Sequence, residues 1–455
     1  MTVTTDDLTE LAQRHLWGHF THLSAWSASH TRTIVRGKGS WVYDSAGRRY
    51  FDGFSAQFVA QLGHGRTDLA EAASRQAAQL GFYPLWSFGH EPGIRLASRL
   101  ADLAPGDLNR VFFTTGGSEA VESAWKLAMQ YHRATGQPHR RKVLSRNLAY
   151  HGTTLGALSL TGVAGYRAPF EPLVPGAVKV HNTNHYRCTL CKDSCELKCA
   201  DDVEARILME GPETVAAVIA EPLQNAGGAF APPQGYWQRL REICDRYGVL
   251  LISDEVICAF GRLGAMFGAE HYGYQPDMIT FAKGVTSGYA PLGGVMVSDR
   301  IAGAFDEAGP TFLHGLTFAG HPVSCAVALA NLDAFEREDV LTHTRRLAGV
   351  FRENLNGLND LPIIGDIRGD GMFMALELVK DRATKESFSN EEADWLLRGF
   401  LSDQLIDAGL LCRTDDRGDP VIILAPPLTS TDDDLAFMTE TLRDVLDRAW
   451  RKLTV

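Results

Sequence analysis

Between residues 70 and 325 short, unbroken apolar runs alternate with stretches of helical spacing. The runs are Arg110-Val-Phe-Phe113, Lys142-Val-Leu144, Val215-Ala-Ala-Val-Ile-Ala220, Val249-Leu-Leu-Ile252 and Met278-Ile-Thr-Phe281, with Leu292-Gly-Gly-Val-Met-Val297 as one more. A strand that is apolar at every position leaves no face for water. Both faces must be covered, and helices crossing between parallel strands do that. The pattern therefore predicts an α/β fold around a mainly parallel sheet. In open sheets of this kind ligands bind beyond the carboxyl ends of the strands, which directs attention to the residues closing each run.

The flanks read differently. Residues 8–22 have helical spacing, and Ser40-Trp-Val-Tyr43 and Arg49-Tyr-Phe51 read as short strands around the turn Asp44-Ser-Ala-Gly47. Beyond residue 330 helical segments surround a strand at Met372–Leu378. A last helix follows Ser430-Thr-Asp432, with Leu435, Met438, Leu442, Val445 and Trp450 near helical spacing. The expected plan is a large domain over 71–328 and a smaller α+β domain assembled from both ends, 1–70 and 329–455.

Bulk properties exclude some partners. Acidic residues outnumber basic ones by 55 to 44 in the 455-residue chain, giving a net charge of −11 that argues against nucleic acid or an anionic membrane. No apolar stretch is long enough to span a bilayer. The acidic start Met1-Thr-Val-Thr-Thr-Asp6-Asp7 lacks a secretion signal. Isolated cysteines such as Cys244, Cys258, Cys325 and Cys412 fit reduced thiols, so a cytoplasmic protein is expected.

The strand ends carry the chemistry. Lys283 follows Phe281-Ala282 and precedes Gly284; Asp254 closes the run at Val249–Ser253. Burial would lower the lysine's pKa and make its amine nucleophilic. Such a lysine can hold an aldehyde cofactor as a Schiff base, and an aspartate at the end of another strand can keep a pyridine nitrogen protonated. Together they outline a pyridoxal 5′-phosphate site. Thr114-Thr-Gly116-Gly117-Ser118-Glu119 follows the first run and opens a helix at Ala120–His132, a candidate phosphate cradle of free backbone N–H groups. A tight turn with Ser118 as N-cap would look the same. Tyr150, in Tyr150-His151-Gly152, could stack on a flat ring or serve as a core aromatic. Glu221 closes a wholly apolar run and needs a partner, which a plain salt bridge would supply. Val256, two residues past Asp254, offers an apolar face.

Four more cysteines stand close together, Cys188-x2-Cys191-x3-Cys195-x3-Cys199, with His181 and His185 upstream. Zinc or an iron–sulfur cluster would use such thiols. The spacing is not that of paired CxxC knuckles, and separations of three, four and four place the cysteines on one helical stripe. Packed or partly oxidised thiols, without a metal, are the favoured reading.

The segments Thr115–Val121, Tyr150-His-Gly-Thr153, Glu221-Pro222, Ser253-Asp-Glu-Val256, Ala282-Lys-Gly284 and His314-Gly-Leu-Thr-Phe318 resemble those of class III pyridoxal phosphate-dependent aminotransferases. Within that class the chain looks most like ω-amino acid:pyruvate or amine:pyruvate transaminases, from Trp41 to Leu446. The resemblance implies fold type I and a homodimer, or dimer of dimers, with sites at the subunit interface. It implies that Lys283 carries the cofactor, Asp254 pairs with the pyridinium nitrogen, and Tyr150 and Val256 cover the two ring faces. Gly117 and Ser118 would hold the phosphate, with Thr317 reaching it from the neighbouring subunit. Glu221 would lie near the cofactor and near Arg413, which in related enzymes swings to bind a substrate carboxylate; its planar fork suits that task. A surface arginine on a loop is the competing reading of Arg413. Phe58, Tyr83, Trp86 and Phe88 would wall the donor's slot, or pack at an interface. Several relatives carry Trp at the Phe58 position.

The expected function is a ping-pong transfer of an amino group from a primary amine or ω-amino acid to a keto acid, pyruvate before 2-oxoglutarate. Other chemistry on the same cofactor (an aminomutase, racemase or decarboxylating transaminase) is the rival, and a non-enzymatic or metal-binding protein the more distant one. Donor identity is not legible in these residues, and S-selectivity is implied only by the resemblance.

Overall fold

The computed structural model describes residues 5–25, 32–191, 195–306 and 309–453. Its centre is a seven-stranded sheet. Across it run Arg110–Thr114, Gly293–Val297, Met278–Phe281, Leu250–Asp254, Val215–Ala220, Lys142–Arg146 and Ala177–Val180. Gly293–Val297 is antiparallel to both neighbours; the other pairings are parallel.

The apolar runs are explained by what covers them. Successive side chains of a strand point to opposite faces. Val143, Ala217, Ile219, Leu250, Ile252 and Met278 pack on one face beneath Ala120, Val121, Ala124 and Leu127 of the helix Gly117–Ala134. Leu144, Val218, Leu251 and Ile279 face the other side, among Val203 and Ile207 of Lys198–Glu210 and Leu240 and Ile243 of Tyr236–Tyr247. All six residues of Val215–Ala220 are buried.

Two smaller sheets flank this layer. Ile34–Lys38, Trp41–Asp44 and Arg49–Asp52 are joined by Leu410–Leu411, where Leu410 pairs in parallel with Phe51 and ties the two chain ends together. Ile364–Asp370, Phe373–Leu378, Val421–Leu424 and Arg413–Asp415 form an antiparallel sheet. The last helix is Asp432–Leu453, with Leu435, Met438, Leu442 and Val445 buried. The fold class is thus α/β, a mainly parallel sheet plus a smaller α+β part drawn from both termini, as expected.

Three local expectations are corrected. The first helix is Thr5–His15, not 8–22; Phe20 takes φ +53°, which a right-handed helix cannot contain, and a 3-10 turn follows at Leu23–Ala25. The edge strand Ala177–Val180 was not expected; it is only four residues long and carries Lys179. The cysteines do not share a helical stripe: the helix begins at Lys198, after Leu197 at φ +57°, so only Cys199 is helical. Among the described residues no helix is long and apolar enough to cross a membrane.

Candidate active site

At the carboxyl edge of the central sheet lies a cavity of about 470 Å³. Its lining includes Thr115, Gly116, Gly117, Ser118, Tyr150, Glu221, Asp254, Val256 and Lys283. Successive strands deliver these residues: Thr114 leads to the first four, Arg146 to Tyr150, Ala220 to Glu221, and Phe281 to Lys283. The antiparallel strand enters from the same end, so Ala290, Pro291 and Leu292 close that side.

Lys283 adopts φ +49°. A non-glycine residue in the left-handed region costs of order 1–3 kcal/mol and persists where its surroundings dictate it. Next to it Gly284 allows a close approach, since a Cβ there would lie 2.2 Å from the Gln61 amide. Among the described residues nothing hydrogen-bonds Lys283 Nζ, and its nearest aromatic neighbour, the Phe58 ring, is 5.8 Å away. Burial lowers its pKa to about 8, although Asp254 and Glu221 pull the other way, and Arg413 adds to the lowering. A sizeable minority of the amine is therefore neutral near physiological pH, the form in which it is nucleophilic.

Asp254 is 3% exposed and fully engaged. It accepts from His151 Nδ1 at 2.6 Å, from Thr280 Oγ1 at 3.1 Å and from the Val256 amide at 3.2 Å. A carboxylate held on two sides keeps one orientation toward the cavity. His151 stands in the quoted Tyr150-His-Gly motif without an assigned role; its bond to Asp254 spans 103 residues and has no local signal.

The phosphate end is a helix N-terminus. The N-cap is Gly116, not Ser118, and Ser118 Oγ instead accepts from the Thr153 amide at 3.2 Å. A Cβ at Gly117 would come within 2.9 Å of Val256 Cγ1, so glycine permits the helix start and Val256 to meet. Glu119 caps the loop by accepting from the Thr115 amide at 2.8 Å and its hydroxyl at 2.6 Å. Glu221 accepts from the Tyr150 amide at 3.3 Å and the Asn225 amide at 2.9 Å, and burial raises its pKa against the opposing effect of His151 and Arg146. Burial also raises the Tyr150 phenol's pKa, so that tyrosine remains a protonated aromatic surface. An unbonded amine, an oriented carboxylate, an apolar side chain and an aromatic lining the same cavity, and free amides at a helix start form the donor set a phosphorylated pyridine aldehyde needs.

Other expected site residues stand elsewhere in the single chain. Phe58 is 2% exposed and packs edge-on to Phe54 at 4.5 Å and Phe373 at 4.8 Å, with its ring centre 5.8 Å from Lys283 Nζ. Ser55, Ala56, Gln57 and Phe58 all take positive φ. Tyr83, Trp86 and Phe88 are exposed by 43%, 72% and 66% and do not line the Lys283 cavity; Trp86 borders a second one with Phe113 and His314. Thr317 is exposed and likewise absent from the lining. Arg413 lies on a strand, half-buried rather than on a surface loop, with Nε 3.2 Å from Asp415 Oδ2, outside the cavity lining.

Lys179 also has a lowered pKa, about 7, from burial. Its Nζ donates to Ser145 Oγ at 2.7 Å and to the Ser159 and Leu160 carbonyls at 2.8 Å, so it is a structural lysine without a free lone pair. In the cysteine loop the Cys191 amide donates to Cys188 Sγ at 3.3 Å and the Glu196 amide to Cys191 Sγ at 3.4 Å. All eight cysteines are free thiols.

Comparison with known proteins agrees with this geometry. The model of the family "Aminotransferase class-III" matches residues 23–446. A probable aminotransferase of Mycobacterium tuberculosis is 55% identical over 447 residues, covering 98% of this chain and 95% of that protein. The putrescine–pyruvate aminotransferase of Pseudomonas aeruginosa is 37% identical over 442 residues, 96% of this chain and 95% of that protein. The crystal structure of an (S)-enantioselective ω-transaminase from Thermomicrobium roseum superposes with a TM-score of 0.94 at 40% identity, covering 99% of this chain and 100% of that one. The chain belongs to the class III aminotransferases, enzymes that work with pyridoxal 5′-phosphate.

Proposed function

We propose that this aminotransferase moves an amino group from a primary amine or ω-amino acid to a keto acid, pyruvate in particular, by two half-reactions at the Lys283 cavity. The observation that carries the reading is the lysine itself: a half-buried amine with no hydrogen-bond partner among the described residues, sharing one cavity with an oriented carboxylate and a helix start. When bound, pyridoxal 5′-phosphate supplies an aldehyde carbon that takes up amines and an electron-withdrawing ring.

The chain's residues do the rest. The amides of Gly117 and Ser118 receive the phosphate. Val256 and Tyr150 hold the ring between them. Asp254, fixed by His151 and Thr280, keeps a proton on the ring nitrogen. Lys283 Nζ would hold the aldehyde end and, when released, would serve as the base that accepts a proton from the donor carbon. Glu221 fixes the backbone that carries Tyr150. Arg413 leaves Asp415 to pair with a substrate carboxylate and returns when the donor has none. That exchange lets one cavity serve a simple amine in one half-reaction and a keto acid in the other.

The reading extends to a homodimer or dimer of dimers. Trp86, Phe88, Leu313 and Phe318 expose 72%, 66%, 82% and 60% of their surface, and such apolar area marks an interaction face. A second copy seated there would bring these aromatics and Thr317 toward a neighbouring site. Eight free cysteines accord with a reducing cytoplasm.

The test is a donor screen with pyruvate and 2-oxoglutarate in parallel, following both the carbonyl product and the new amino acid. Transfer demands stoichiometric acceptor. Turnover of a donor without any keto acid would favour an isomerising enzyme instead. The putrescine–pyruvate relative makes pyruvate the first acceptor to try.

A further inference from the structure

The strand Arg413–Asp415 and its partner Val421–Leu424 form a hairpin whose register pairs Arg413 with Ile423 and Asp415 with Val421. Residues two apart on a strand share a face, so Arg413 and Asp415 point the same way. The turn then brings Arg417 back onto the same carboxylate. Asp415 and Arg417 are both buried, at 4% and 8% exposure. Arg417 Nε lies 2.9 Å and 2.7 Å from the two Asp415 oxygens, its Nη2 makes a further contact with Oδ2, and its own amide donates to Oδ1 at 2.9 Å. Arg413 makes one 3.2 Å ion pair with the same group.

We propose that Asp415 and Arg417 form a fixed ion pair that leaves Arg413 free to bind a substrate carboxylate, which makes Arg417 a positioning residue for acceptor recognition. The inference rests on the reading of Arg413 given above. Its physical content is a matter of what remains when Arg413 moves. A buried carboxylate that loses its only cation is costly, and a protein resists any motion that creates one. Here Asp415 has two cations, and the one with four contacts stays behind. Arg413 can therefore depart without stranding a charge.

The hairpin is built to hold Arg417 still. Asp416 pairs with Arg398 at 2.6 Å and Asp419 with Arg187 at 2.9 Å, pinning the turn from both sides. The Arg417 guanidinium lies 5.9 Å from the ring centres of both Tyr150 and Tyr166, a cation–π distance. The Arg413 guanidinium lies 5.9 Å from the Phe54 ring centre.

Steady-state kinetics of the reconstituted holoenzyme test this, with pyruvate as acceptor and a primary amine lacking a carboxylate as donor. Arg417→Gln gives Asp415 no cation but Arg413, and losing one charge-assisted partner predicts a rise of about tenfold or more in the KM for pyruvate. The KM for the amine and the rate of its half-reaction stay within about twofold. Arg417→Lys restores part of the loss. Adding Asp415→Asn to Arg417→Gln releases Arg413 and returns the pyruvate KM to near wild type. An unchanged pyruvate KM in Arg417→Gln overturns the proposal. So does a double variant as impaired as the single one, because Arg417 would then touch substrate itself, and so does an equal loss for both substrates. If Arg417→Gln does not fold, Asp415→Asn alone decides: a pyruvate KM at or below wild type is expected, and a clear rise refutes it. Wild-type protein that transfers no amino group would overturn the underlying reading, an outcome distinct from variants that transfer normally.

Discussion

Cofactor capture by Lys283 should titrate near pH 8 rather than near the usual value for lysine. Burial brings the amine down from 10.5 to about 8. At pH 7.5 roughly a quarter of such an amine is neutral, against about one part in a thousand for an ordinary lysine, a gain of some two orders of magnitude in the reactive form. The sign follows from the charge type. A cation with a lowered pKa loses its proton earlier, so capture rises through pH 7–8 and levels off about one unit above the midpoint. The neighbours give the profile a direction of movement. Removing the Asp254 charge with Asp254→Asn takes away an attraction for the ammonium and displaces the profile to lower pH. Removing a repelling cation with Arg413→Met displaces it to higher pH. The assay mixes apoenzyme with pyridoxal 5′-phosphate, follows the absorbance in a stopped-flow instrument, and compares each profile with that of a free amine to remove the cofactor's own titration. A midpoint near pH 10 in the wild type, or displacement of both variants in the same direction, would refute the electrostatic picture of the cavity.

Three further outcomes are expected. Arg413→Ala should raise the KM for pyruvate by about tenfold to a hundredfold, the worth of a lost charge-assisted hydrogen bond, with smaller damage to a donor lacking a carboxylate; equal damage to both would count against a mobile arginine. Gly117→Ala places a Cβ 2.9 Å from Val256 Cγ1, so fluorescence titration should show weaker cofactor binding that Val256→Ala partly restores; no change in affinity would contradict the packing. Phe58→Ala should cost about 3–5 kcal/mol in denaturant unfolding, as for a buried aromatic, whereas a loss below about 1 kcal/mol with altered donor range would mean that the ring faces the slot.

What the sequence revealed depended on how each residue is placed. The Lys283, Asp254, Glu221 and Tyr150 positions were legible because each follows an apolar run, and a polar group at the end of a buried strand stands out from its flanks. The sheet's one reversed strand was not, since Gly293–Val297 has the same apolar character in either direction. The Asp254–His151 bond joins residues 103 apart and leaves no periodicity. The turn that carries Phe58 was not legible either, since four consecutive non-glycine residues adopt positive φ, a conformation their side chains do not announce. Tyr83, Trp86 and Phe88 were expected at the cavity and stand exposed in the single chain, a placement that their aromatic character does not reveal. The cysteine spacing suggested a helix, but Leu197 turns left-handed ahead of Lys198 and the helix starts late.

Borohydride reduction of the holoenzyme, followed by peptide mass mapping, asks most directly whether this cavity holds the cofactor through one amine. A single pyridoxyl adduct on the peptide containing Lys283, absent from Lys283→Ala, is the predicted result. An adduct on Lys179, or none on any lysine of a protein that still transfers amino groups, would contradict it.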